Sequence, residues 1–203
     1  MNHRQPKKKR PTKICCGRGL NTRPRILKDL IKKTKGQRID KLYVCRNPIS
    51  SVFTKLLNLL TFGDFYKKLK EKNYDDLYHL FLTVVLENGE IFTIEKNQRV
   101  NVIKGKVKGD CLSERIIDKN LTISDLILNS EKKISNNQLY IYKATSTNCQ
   151  QYLIDILNSS GITEFNTFIK QNVKDLIPVT LSKISNQLIK LPALLDYIVR
   201  GGE

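Results

Sequence analysis

The chain has 203 residues, 40% of them hydrophobic and 27% charged, with a formal net charge of +17. That apolar share suffices for one core and argues against a wholly disordered chain. No run approaches about 18 consecutive apolar residues, which excludes an ordinary transmembrane helix. Five cysteines, an odd number, fit a reducing compartment better than a disulfide scaffold. The charged start Met1-Asn2-His3-Arg4 is not a secretory signal, so the expected location is nuclear or cytoplasmic and not secreted.

The charge is unevenly placed. Residues 1–38 hold fourteen basic side chains against the single acid Asp29, a net +13, whereas residues 39–203 carry only +4. Residues 1–38 therefore read as a disordered basic arm that seeks polyanions: nucleic acid, an anionic membrane or an import receptor. Lys7, Lys8, Lys9 and Arg10, flanked by Pro6 and Pro11, resemble a monopartite nuclear localisation signal and would equally attract phosphates. Leu27, Leu30 and Ile31 could form a short basic amphipathic helix on such a surface. Cys15-Cys16 has no second Cys/His pair at finger spacing, so no metal is expected there.

Residues 39–177 read as an α+β domain, an antiparallel meander packed against helices, followed by a helical extension over 178–203. Asp40–Arg46 predicts a strand closed by Asn47-Pro48, and Ser50 or Ser51 caps a helix through Leu60 that ends at Gly63. Asp64 opens a lysine-rich amphipathic helix over Phe65–Lys72. Leu77–Leu86 predicts a central strand, apolar on both faces, and Asn88-Gly89 predicts a two-residue hairpin turn into Ile91–Lys96. Arg99–Lys104 adds a third strand, and 105–110 reads as a turn with Cys111 in a loop beside it. Thr122 or Ser124 caps a short helix, and Gln138–Lys143 reads as another strand. Asn148 caps a helix over Cys149–Leu157 that ends at Asn158-Ser159-Ser160-Gly161. Thr163 opens one more helix through Phe168, and Leu181–Val199 is helical with an interruption at Pro192.

Cys149 falls in the first turn of its helix, where the macrodipole favours a thiolate. His79 begins the central strand, and a histidine facing such a cysteine is the usual route to an activated nucleophile. The structural alternative is that Cys149 fills the core with Leu153, Ile156 and Leu157, and that His79 is a half-buried strand histidine. Cys45 in a strand and Cys111 in a loop have no histidine nearby in sequence. With two histidines and scattered cysteines the sequence offers no metal centre, and no cofactor-binding loop is visible.

A strand histidine, an Asn-Gly hairpin and a late Asn148-Cys149-Gln150-Gln151-Tyr152-Leu153 helix start resemble the circularly permuted papain-like superfamily. Its relatives include NlpC-type peptidases and the lecithin:retinol acyltransferase group with its viral H-NC boxes. The pattern spans about residues 75–157. Tyr74–Leu80, the run to Glu95-Lys96-Asn97 and Thr147–Gln150 are also similar to small uncharacterised proteins of eukaryotic double-stranded DNA viruses, which would make the protein virus-encoded and add the virion to its expected locations. The resemblance implies a thiol hydrolase or acyltransferase acting on a peptide or lipid acyl group, with Cys149 as nucleophile and His79 as base and then acid. The returning strand would supply the third residue, Glu95 first and Asn97 second. Two features depart from the pattern. Leu80 stands where the acyltransferase group carries an aromatic residue. A two-residue Asn88-Gly89 loop would also pair position 79 with 98 and turn Glu95 to the opposite face, unless the loop has an odd length or the strand a bulge.

The rival expectation is a non-catalytic, DNA-associated or virion structural protein that works through its basic arm, with salt-dependent phosphate binding. A further expectation places the arm and Leu188–Leu195 against a membrane.

Overall fold

The computed structural model describes residues 22–115, 120–144, 146–169, 171 and 176. The arm motif Lys7–Arg10, the Cys15-Cys16 pair and the extension 178–203 lie outside the described residues. The chain forms helix α1 (Arg25–Lys33), strand β1 (Ile39–Pro48), helices α2 (Ser51–Leu60) and α3 (Asp64–Glu71), and strands β2 (Tyr78–Leu86), β3 (Ile91–Lys96), β4 (Val100–Lys104) and β5 (Asp110–Arg115). Helices α4 (Ile123–Lys133), α5 (Asn136–Tyr140), α6 (Cys149–Ser159) and α7 (Asn166–Ile169) follow. The strands make one antiparallel sheet in the order β4-β3-β2-β1-β5, so the fold is α+β with the histidine strand at its centre.

The even-numbered side chains of β2 (Tyr78, Leu80, Leu82, Val84 and Leu86) face the main core. Leu27 and Leu30 of α1, Ile123, Leu126 and Ile127 of α4, and Tyr152, Leu153, Ile156 and Leu157 of α6 complete it. Period-2 alternation on the strand and near-four-residue spacing on the helices explain why these positions converge. A smaller cluster joins Leu57 of α2 and Phe65 and Leu69 of α3 to Leu77, Ala144 and Leu176.

The opposite sheet face is also covered. Thr83 and Thr93 stand opposite each other in the β2–β3 ladder with their hydroxyls 3.3 Å apart. Thr93 Oγ1 donates to the Gly105 carbonyl at 2.8 Å, where the β4–β5 connection starts across this face toward the far edge. The connection ends at Gly109, where a Cβ would lie 2.7 Å from both Asn47 Oδ1 and Phe81 Cζ. Glycine is required there for close approach.

Four expectations need correction. The arm does not extend to residue 38, because α1 buries Leu27 completely and Leu30 almost so. Its apolar stripe is spent on the core, so Leu27 and Leu30 offer nothing to a membrane or a nucleic acid. Residues 138–143 do not form a strand. Ser135 caps α5 by accepting from the Gln138 N–H at 3.3 Å, and Leu139 and Tyr140 pack into the core from that helix. Cys111 is not in a loop but in β5, directly opposite Cys45, and the two form a disulfide. The β2–β3 loop has three residues, not two: Leu86 N–H donates to the Glu90 carbonyl at 2.9 Å and Gly89 N–H to the Leu86 carbonyl at 2.8 Å. Gly89 takes the left-handed conformation (φ 82°) that a turn-plus-bulge loop of this length demands.

Candidate active site

The three-residue loop decides where Glu95 points. It pairs Phe81 with Glu95, so by extension position 79 stands opposite 97, and His79 and Glu95 share a face. Glu95 Oε2 lies 3.0 Å from His79 Nε2. Its other oxygen, Oε1, accepts from Asn97 Nδ2 at 3.1 Å and Asn101 Nδ2 at 3.3 Å. Both sequence candidates for the third position are therefore present, Glu95 directly against the ring and Asn97 one bond behind it. Asn101, unforeseen, stands opposite Glu95 in the β3–β4 ladder; its role was readable only once the register was known.

Cys149 opens α6. Asn148 Oδ1 accepts from the Gln151 N–H at 3.0 Å, and Asn148 Nδ2 donates to the Ala144 carbonyl at 2.8 Å, so the cap also anchors the incoming chain. The His79 ring and the backbone N–H groups of Leu80 and Gln150 lie beside the Cys149 sulfur and favour its thiolate. With Nε2 on Glu95, Nδ1 is the ring nitrogen left for the thiol. The β2–β3 pairing ends at Phe81–Glu95. Beyond it the Leu80 N–H turns to Cys149, and the Tyr78 N–H donates to Gln171 Oε1 at 3.0 Å. Gln171 also takes Gln150 Nε2 on that oxygen at 3.4 Å, donates its Nε2 to the Asp76 carbonyl at 2.7 Å, and donates its N–H to Gln150 Oε1 at 3.0 Å. Gln150, the residue after Cys149, is thus tied through Gln171 to the strand that carries His79.

The electrostatics follow from burial and pairing. Burial would raise the Cys149 thiol, but the His79 ring and the two N–H donors outweigh it and the thiol is held below its ordinary value. Burial alone would lower His79, yet its bonds to Cys149 and then Glu95 push it up to about 10. Burial acts to raise Glu95 too, and its bonds to His79, Asn101 and Asn97 turn it below the usual carboxylate range. The three groups favour thiolate, imidazolium and carboxylate together, an arrangement suited to nucleophilic attack on a carbonyl. Cys149 itself is 7% exposed, and it is the one free cysteine among the described residues.

Two features were not legible beforehand. Lys96 is completely buried, and its Nζ donates to the carbonyls of Leu139 at 2.8 Å and Ile141 at 3.0 Å. Burial lowers its pKa to about 8 against the pull of Asp155 and the Cys149 thiolate. Thr147 Oγ1 donates to the same Ile141 carbonyl at 2.6 Å. β3 therefore directs Glu95 to the histidine from one face and Lys96 to the segment leading into Cys149 from the other. Tyr142 also sits near the site, its hydroxyl pushed up by burial and then by the negative charge at Cys149.

No family model, curated protein or solved structure matches the chain.

Proposed function

We propose that the protein is a cysteine-dependent hydrolase or acyltransferase that cleaves an amide or ester bond. The observation that carries the reading is the His79 ring, shared between Cys149 and a Glu95 carboxylate 3.0 Å away. A thiol that merely fills the core would need neither the histidine nor the two backbone donors. In the reaction, the Cys149 thiolate attacks the acyl carbon. His79, held by Glu95, delivers its proton to the leaving amine or alcohol. It then takes a proton from water or an acceptor hydroxyl to release the acyl group. The Cys149 N–H, in the first helical turn without an intrahelical acceptor, is placed to bind the developing oxyanion. The papain-like resemblance and a peptide or lipid acyl substrate belong to this same proposal.

A thiol-directed activity probe tests it. The wild type should be labelled at Cys149, while Cys149→Ala and His79→Ala abolish the label. Equal labelling of all three proteins refutes the reading. The basic arm is a separate proposal, concerned with where the chain goes. Removing residues 1–13 should abolish nuclear accumulation of a tagged protein, and unchanged accumulation would end that reading.

A further inference from the structure

Helices α2 and α3 form a hairpin whose tip carries apolar side chains in water. Phe62 is 100% exposed, Leu59 73% and Tyr66 41%. Solvent-facing turns usually carry polar residues or glycine, and Phe62 moreover sits in the left-handed region (φ 51°), which side chains of its kind rarely adopt. The tip is well braced. Thr61 Oγ1 accepts from the Phe65 N–H at 2.9 Å and donates to the Leu57 carbonyl at 2.9 Å. Gly63 N–H donates to the Asn58 carbonyl at 2.8 Å, and Tyr66 N–H donates to Asn58 Oδ1 at 3.0 Å. Phe62 is therefore presented by a defined turn.

The charges around the tip identify what it meets. Lys55 lies one turn back from Leu59 on α2, and Lys70 one turn back from Tyr66 on α3, with Lys67 beside it; all three lysines are exposed. Four residues of helix set the backbone of Lys55 and of Lys70 about 6 Å behind that of its apolar neighbour. The acid nearest the tip, Asp64, is neutralised by Lys68 at 2.7 Å, and Glu71 lies at the far end of α3. Apolar side chains in front and ammonium groups a turn behind match a bilayer's acyl boundary and its anionic headgroups. A nucleic acid would leave the apolar tip unused.

We infer that the α2–α3 hairpin is a membrane-docking element that inserts Leu59, Phe62 and Tyr66 into the interface of an anionic bilayer while Lys55, Lys67 and Lys70 contact its headgroups. The contact is peripheral, since no helix among the described residues is long and apolar enough to cross a membrane. Its base packs through Leu57, Phe65 and Leu69 on Leu77 and Ala144, which precede His79 and Cys149 by two and five positions. Docking would bring the site close to the lipid surface, but the inference does not depend on the site being active.

The chain contains no tryptophan, so Phe62→Trp in the full-length protein gives a single local reporter that binding by the basic arm cannot mimic. With phosphatidylcholine vesicles containing phosphatidylserine, its emission should shift to the blue and be quenched by brominated acyl chains. Lys55→Glu with Lys70→Glu should remove both effects, and Leu59→Ser should weaken partitioning by about tenfold. An emission that stays water-like on anionic vesicles overturns the inference, even if the protein sediments with them. A blue shift that appears without lipid and grows with protein concentration overturns it as well, by making the tip a self-association surface.

Discussion

Replacing Glu95 with Gln keeps the shape of the side chain and removes its charge from the His79 ring. The two side chains are only 7% and 15% exposed, so solvent screens the pair little. A hydrogen bond to a charged partner contributes about 1.5–3 kcal/mol, and one pKa unit is about 1.4 kcal/mol. The substitution should therefore lower the His79 midpoint by about one to two units from its value of about 10. Because that pKa is raised in the folded state, its contribution to stability is complete below the unfolded value of about 6.5 and is lost as pH rises through about 10. Glu95→Gln should move this loss to lower pH, while at neutral pH the imidazolium and the thiolate both persist. The chain has two histidines, so the titration can be followed by NMR with the His79 resonance assigned by its loss in His79→Ala. A His79 that titrates near the ordinary value of about 6.5 in the wild type, or does not move in Glu95→Gln, would refute the reasoning.

Three further outcomes follow from the same contacts. Asn148→Ala removes the acceptor of the Gln151 N–H and should cost about 1 kcal/mol in denaturant unfolding while raising the Cys149 thiol pKa. Gly109→Ala drives a Cβ to 2.7 Å from the Phe81 ring and should destabilise by about 1–3 kcal/mol in thermal unfolding. Reduction of the Cys45–Cys111 bond, which closes a separation of 66 residues, should lower stability by up to about 4 kcal/mol, read as a shifted denaturant midpoint with and without reductant. A mass showing both thiols free in the oxidised protein would remove that last expectation.

The sequence carried the strong local signals of the site but not their relative placement. His79 at the head of a β-branched strand and Asn148 capping the Cys149 helix were legible because strand composition and N-cap chemistry act over a few residues. The register was not. Asn88-Gly89 reads as a two-residue turn, but the chain closes one pair further out, at Leu86 and Glu90, and that single residue moves Glu95 from the far face to the histidine. Residues 138–143 alternate like a strand, yet the Ser135 cap and the Lys96 ammonium stabilise a short helix there, and a buried lysine leaves no periodic trace. α1 read as part of the arm because its charges outnumber its apolar residues, yet Leu27 and Leu30, three positions apart on one helical face, are buried in the core. β5 was missed because an edge strand of mixed polarity has no pattern of its own. Its place depends on pairing with β1.

The central claim is that His79 holds Cys149 as a thiolate, and the thiol pKa tests it most directly. It can be read from the ultraviolet thiolate absorbance against pH in a Cys15→Ser, Cys16→Ser background. The account predicts a Cys149 midpoint below the ordinary range of about 8.5, rising to that range or above it in His79→Ala, where only the Leu80 and Gln150 N–H groups oppose burial. A wild-type midpoint at or above the ordinary range, unchanged by His79→Ala, would contradict it.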